Sequence, residues 1–369
     1  MNLLPALSAD FGQSPWLDNL KRSYLTSGQL ITLRDRGVRG LTSNPSIFQN
    51  AIQGSPDYDD QFRALVAAGH SIIEDYWELV IADIHGACDV FSRVYDHSDA
   101  LDGYVSVEVD PRLAHDGPAT ETAARELHER VNRRNVMVKI PATVEGLPAI
   151  RQMIAEGRSI NVTLIFSLER YAEVAEAYVA GLEEYAAAHP DADLSRVASV
   201  ASFFISRVDT EVDRRLGEIG TDAAAALAGK AAYTQGQLAY RIFSEIFSGP
   251  RWEALAARGA RVQRPLWAST STKNPSYPNT LYVDTLIGPH TVNTLPENTL
   301  EAFADHGTLA RTVDADLAAA DRVWAALAEV GVDMDDVAAT LEREGVASFV
   351  AAFDELLAAL KTKAAELAS

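Results

Sequence analysis

Short runs of β-branched and apolar residues alternate with longer helical stretches along nearly the whole chain. The runs at 14–19, 37–43, 103–109, 136–141, 159–165, 197–204, 262–269 and 280–287 have the length and composition of strands. Between them lie periodic helices at 116–134, 167–188 and 222–247, the last rich in alanine. In 167–188, Leu168, Tyr171, Val174, Ala175, Tyr178 and Leu182 recur at three-and-four spacing and define one apolar face. Strand and helix alternating in this way predict a single (β/α)8 TIM barrel spanning 1–369, with a doubly wound open sheet as the alternative. No glycine fingerprint of the dinucleotide type follows any strand, which weighs against the open sheet. About 60 residues separate the second and third strands, so at least two helices are expected there. The seventh and eighth are joined by only Thr270 to Asn279, with Pro275 and Pro278, too little for a full helix. Residues 311–369 add two amphipathic helices expected to pack on the barrel's flank. Val346, Phe349, Val350, Phe353, Leu356, Leu357 and Leu360 line one face of the last. A homodimer interface is the other use open to that face.

Polarity within the strands locates the chemistry. In Tyr104-Val105-Ser106-Val107-Glu108-Val109 the valines share one face, and Ser106 and Glu108 the other. Asn161 and Thr163 stand opposite the apolar residues of Ile160-Asn161-Val162-Thr163-Leu164 in the same way. Lys139 is the only charge in Val136-Met137-Val138-Lys139-Ile140. In a barrel the apolar faces belong under the helices, so Glu108, Lys139, Asn161 and Thr163 are expected to point inward, near the carboxyl ends where barrel active sites assemble. A buried ammonium is relieved either by losing its proton, which yields an amine nucleophilic toward carbonyl carbons, or by pairing with a carboxylate such as Glu108. Both readings stay open for Lys139. Taken singly, Asn161 could be a hydrogen-bonded plug and Thr163 a strand filler; together the four favour function. Asp18 ends the first strand, where it could also cap the next helix, and Asn44-Pro45 follows the second as a turn signal.

Composition narrows the class of ligand. The chain has 369 residues, is 47% apolar and carries a net charge of −20, which argues against nucleic acid as a partner. The same charge repels anionic metabolites, so a phosphorylated ligand needs a local cationic pocket. The single cysteine, Cys88, reads as a small buried apolar residue. The histidines are scattered and none pairs at i, i+4, so no metal or organic cofactor is expected. Met1–Pro5 lacks the basic start of a leader, and no run is long enough to span a membrane, so a cytoplasmic protein is the expectation.

Four segments together resemble the transaldolase family of Schiff-base-forming barrel enzymes of the pentose phosphate pathway. They are Thr42-Ser43-Asn44-Pro45-Ser46, Val107-Glu108-Val109-Asp110-Pro111-Arg112-Leu113, Val138-Lys139-Ile140-Pro141-Ala142-Thr143 and Ile160-Asn161-Val162-Thr163-Leu164-Ile165-Phe166-Ser167. The resemblance covers roughly residues 14 to 300. It implies that Lys139 forms an imine with a sugar phosphate, that Asp18 is a general acid/base, and that Glu108 and Thr163 hold a catalytic water. It further implies that Asn44 and Asn161 bind substrate hydroxyls, that Ser202 and Phe204 line the pocket and that Arg207 grips phosphate. The implied reaction moves a dihydroxyacetone unit from sedoheptulose 7-phosphate to glyceraldehyde 3-phosphate, giving erythrose 4-phosphate and fructose 6-phosphate. A lysine-dependent aldolase without transfer, and a catalytically dead sugar-phosphate-binding barrel, are the alternatives. The chain departs from the family after the seventh strand, in Trp267-Ala268-Ser269-Thr270-Ser271-Thr272-Lys273. Ser269 matches, but Ser271 stands where a second phosphate-binding arginine belongs, and Lys273 is the nearest replacement.

Overall fold

The computed structural model describes residues 3–367. Met1 and Asn2, within the stretch read above for a leader, lie outside the described residues. Eight parallel strands close in sequence order into a barrel: β1 (Gln13–Asp18), β2 (Gly40–Thr42), β3 (Val105–Glu108), β4 (Val136–Pro141), β5 (Ile160–Ile165), β6 (Ser199–Phe204), β7 (Arg264–Ala268) and β8 (Thr291–Leu295). All eight are buried along almost their whole length, as strands wrapped by helices must be. No described helix is long and apolar enough to cross a membrane.

Two assignments read from the sequence are corrected. Residues 280–287 are not a strand. They form the short helix Leu281–Asp284 and the turn after it, while the eighth strand is Thr291–Leu295. The buried apolar residues of that run are Tyr282, Val283, Leu286 and Ile287. They form pairs four apart, the spacing of a helix and not of a strand. The true β8, Thr-Val-Asn-Thr-Leu, carries polar residues on both faces and so shows no alternation. Its Asn293 and Thr291 are held by Thr270 and Gln13. The helix expected over 222–247 is broken into Asp222–Ala225 and Ala231–Ile246. Gly229 lies between them at φ +71, a left-handed conformation that glycine adopts without strain.

Between β2 and β3 three helices appear: Pro45–Gln53, Asp59–Ala68 and Ile72–His97. A capping box, Ser71 with Glu74, starts the last of these. Beyond β8, the helices Glu297–His306, Leu317–Glu329 and Met334–Leu367 complete the described chain. The apolar stripe of the last is used inside the chain: Val346, Phe349, Phe353, Leu356 and Leu360 are buried. It packs on Pro45–Gln53 and on Ser206–Ile219, and it touches β5. It therefore crosses the barrel's mouth and does not lie on the flank alone.

Candidate active site

Register brings the inward residues together. Glu108 on β3 is the Cα partner of Lys139 on β4, and Lys139 is the partner of Asn161 on β5. Asp18 is likewise opposite Thr42 on β2. Lys139 Nζ donates to Glu108 Oε2 at 2.9 Å and to the backbone oxygen of Ser43 at 3.1 Å. The ammonium is thus paired, as the second of the two readings required. Ser43 is fixed in turn, its hydroxyl donating to Ser106 O at 2.7 Å.

Glu108 Oε1 and Thr163 Oγ1 are buried without a hydrogen-bond partner in the protein, among the described residues. A buried carboxylate oxygen and a buried hydroxyl left open in this way are uncommon in native structures and require a partner from solvent or substrate. Thr163 lies within a register shift in β5 between Val162 and Ile165, where Leu164 has φ 60. An extra residue of this kind re-aims the side chains around it, and non-glycine residues hold such a conformation at a cost of about 1–3 kcal/mol.

Burial pushes the Glu108 carboxyl up, against the opposing pull of Lys139 and, more distantly, Arg207. Burial also raises Asp18, opposed by Lys139, by the hydrogen bond from Thr42 (2.9 Å to Oδ1) and by Arg207 and Lys273. Arg207 is pushed down by burial, with Glu108, Asp18 and Glu344 pulling the other way. Two carboxyls, Asp18 and Glu108, and three cations, Lys139, Arg207 and Lys273, therefore gather around one space.

That space is a pocket of about 120 Å³. Asp18, Asn44, Lys139, Thr163, Ser202, Phe204, Arg207, Ser269 and Lys273 line it, as expected from the sequence. Asn161 does not. It is fully buried, donates to Ser106 Oγ at 3.0 Å and accepts from Ser202 Oγ at 2.7 Å, and β5 begins only one residue before it. It sits deeper in the barrel and holds Ser202. Glu108 reaches the site through Lys139 and is not itself on the pocket wall. Asn44 caps the helix Pro45–Gln53 through Oδ1 (2.9 Å from Ile47 N), so its amide nitrogen is the group left to face a ligand.

The cationic end is built from three segments. Arg207, in the first turn of the helix Ser206–Ile219, lies between the rings of Phe204 (5.2 Å) and Phe349 (5.7 Å). Gly345 lets the last helix approach β5, because a Cβ there would come to 3.1 Å from Leu164 Cδ2, with Arg207 Nη1 at 3.4 Å. Lys273 Nζ donates to Ser271 Oγ at 2.8 Å, and both residues line the pocket.

The family model described as Transaldolase/Fructose-6-phosphate aldolase matches residues 15–360. The chain belongs to that family. It is 54% identical to a transaldolase of Acidothermus cellulolyticus, over 95% of this chain and 94% of that protein. It is 51% identical to one of Parafrankia sp. over 97% of both, and 52% identical to one of Thermobifida fusca over 95% of both. The chain is accordingly an enzyme of transaldolase type, a transferase. Against that background the contribution of Phe349 stands out, because a transaldolase-family pocket here takes a wall from the last helix. Sequence reasoning did not find Phe349; its apolar spacing is the signal of core packing. Thr42, Thr294 and Pro296 also line the pocket without having been singled out. Thr42 and Thr294 join hydroxyls at 2.7 Å across the β1 strand that carries Asp18.

Proposed function

We propose that the protein transfers a dihydroxyacetone unit from sedoheptulose 7-phosphate to glyceraldehyde 3-phosphate through an imine on Lys139. The observation that carries this reading is a lysine buried against a carboxylate that keeps one oxygen free. Burial raises Glu108, which lowers the cost of moving the lysine proton onto it and leaves a neutral amine to attack the ketose carbonyl. Loss of water gives a protonated imine, an electron sink for breaking C3–C4. Asp18, facing the pocket, takes the C4 hydroxyl proton, and the released aldose is erythrose 4-phosphate. The three-carbon enamine then attacks the aldehyde carbon of glyceraldehyde 3-phosphate. Hydrolysis of the new imine frees fructose 6-phosphate and Lys139. Glu108 Oε1 and Thr163 Oγ1 suit a shared water that shuttles protons in the hydration and dehydration steps.

Asn44 and Ser202 are assigned to substrate hydroxyls, with Asn161 orienting Ser202 and Phe204 closing the wall. Arg207 is the main phosphate clamp because guanidinium offers a planar fork to phosphate oxygens. Ser269 adds a neutral hydrogen bond, and Lys273 supplies the second cation in place of the arginine missing at Ser271. A cytoplasmic location, where sugar phosphates are made and used, is part of the same reading. The homodimer expectation loses its motivating surface, since the stripe of the last helix is buried within the chain; light scattering gives the oligomeric state.

Transfer is separated from simple cleavage by products. With fructose 6-phosphate and erythrose 4-phosphate together, the enzyme should yield sedoheptulose 7-phosphate and glyceraldehyde 3-phosphate. Free dihydroxyacetone accumulating at the same rate with or without the acceptor would instead identify an aldolase.

A further inference from the structure

Arg207 and Lys273 come from different parts of the chain, and a phosphate can bridge them only if their spacing is held. Arg207 is on the helix Ser206–Ile219, and Lys273 is on the long connection between β7 and β8. Near the pocket the two are tied: Ser206 N donates to Ser269 O at 2.9 Å, and the hydroxyls of Ser206 and Ser269 meet at 2.9 Å. Lys273 lies further out, exposed, and donates to the Ser271 hydroxyl. A long flexible cation on an unanchored loop binds weakly, because its ordering offsets the attraction.

The anchor is a tyrosine four residues on. Tyr277 OH donates to Asp213 Oδ2 at 2.6 Å, on the same helix as Arg207. Between Lys273 and Tyr277 the chain is a tight turn: Ser276 N donates to Asn274 Oδ1 at 3.0 Å and Tyr277 N to Asn274 O at 3.1 Å. Asp213 is itself braced, since its Oδ1 accepts from Gly229 N at 2.9 Å. Gly229 also makes room for the ring, because a Cβ there would lie 2.7 Å from Tyr277 Cζ. One turn earlier on the helix, Asp209 repeats the arrangement with Tyr282 OH at 2.7 Å and Ala232 N at 2.8 Å. That inner pair is fully buried and serves the core. The outer pair is partly exposed, and its Tyr277 lies four residues along the chain from Lys273, which lines the pocket.

We propose that Tyr277 and Asp213 are positioning residues that set the distance of Lys273 from Arg207 and so tune phosphate affinity. The inference rests on Lys273 being the second phosphate cation. The test is a double-mutant cycle on kcat and KM for fructose 6-phosphate, with melting temperatures recorded alongside: wild type, Tyr277→Phe, Lys273→Ala and the double variant. Tyr277→Phe keeps the ring and removes one hydrogen bond, so KM should rise roughly three- to tenfold with kcat unchanged. In the Lys273→Ala background the same substitution should change nothing further. Asp213→Asn serves as the second variant and should raise KM in the same way, whereas Tyr282→Phe should lower the melting temperature without moving KM. If Lys273→Ala leaves KM unchanged, the reading of Lys273 fails and takes this inference with it. If Lys273→Ala raises KM but Tyr277→Phe does not, or acts equally with and without Lys273, the positioning role alone is overturned.

Discussion

Each end of the barrel buries an ion pair. At the carboxyl end, Lys139 and Glu108 have side chains 6% and 2% exposed and lie 2.9 Å apart. At the opposite end, Arg264 and Asp102 are 6% and 5% exposed and 3.1 Å apart. Burial and distance do not tell the two apart; what the partners leave unused does. Asp102 Oδ1 accepts from Trp16 Nε1 and Arg264, and Oδ2 accepts from Ser14 at 2.7 Å. Arg264 also donates to Ser14 Oγ and to Leu101 O. Both oxygens of Asp102 are thus filled, with Arg39 Nε a further 3.8 Å away from Oδ2, and a guanidinium does not give up its proton. Glu108 keeps an oxygen free, as Thr163 two strands away keeps its hydroxyl, and the lysine partner of Glu108 can become a nucleophile. A cleft of about 620 Å³ opens beside the closed pair, against about 120 Å³ at the reactive one. On the proposed function, volume does not mark the chemistry in this barrel; an open carboxylate oxygen on a buried pair whose cation is a lysine does.

The comparison can be broken by substitution. The largest effect is expected for Lys139→Arg, which keeps the charge and removes the nucleophile: a folded protein with no measurable transfer. Next is Glu108→Gln, where turnover should fall by about 10²–10⁴ with KM much less changed. Because burial raises this carboxyl, the acid limb of the wild-type pH–rate profile should lie above the range of an ordinary glutamate, and the variant should lack it. Arg264→Met, at this second pair, should cost stability, up to about 3–5 kcal/mol, by leaving Asp102 with only the more distant Arg39, at 3.8 Å, as a charge partner. Its folded fraction should keep the wild-type kcat/KM. A drop in kcat/KM matching that of Glu108→Gln would erase the distinction between the two ends.

The smallest effect concerns Asp209, a buried carboxyl that belongs to neither pair. Burial pushes it up to about 6, with the hydrogen bond from Tyr282 opposing. The folded state therefore holds a proton that the unfolded chain releases near its ordinary value of 3.8. The stabilisation from this group is fully present below that value and is lost as pH rises through about 6. Between pH 4 and 7, wild type should lose on the order of 2–3 kcal/mol relative to Asp209→Asn. Urea midpoints at the two pH values give the difference, and parallel midpoints for the two proteins would reject the shift.

Much of this was legible in the sequence, and the gaps have physical causes. The alternation of Val105 and Val107 with Ser106 and Glu108 is local, so the inward face of β3 could be read directly. A lone charge in an apolar run made Lys139 equally plain. Register is not local: the depth of Asn161 depends on where β5 pairs with β4, and one strand does not record that. The bulge at Leu164 belongs to the pairing of β5 with β6 and leaves no mark in composition. β8 was hidden because its polar residues bond on both faces, while 280–287 looked like a strand through β-branched content alone. Phe349 reaches the pocket by long-range packing, and the Ser43 carbonyl that holds Lys139 is backbone, invisible to any reading of side chains.

The central claim, that the open pair is where covalent chemistry occurs, is tested most directly by trapping. The enzyme is incubated with fructose 6-phosphate, reduced with borohydride, digested and mapped by mass spectrometry. The account predicts a three-carbon adduct on the peptide containing Lys139 and none on those containing Lys21, Lys230, Lys273, Lys361 or Lys363. An adduct on any of those lysines, or no adduct under conditions that support turnover, would contradict it.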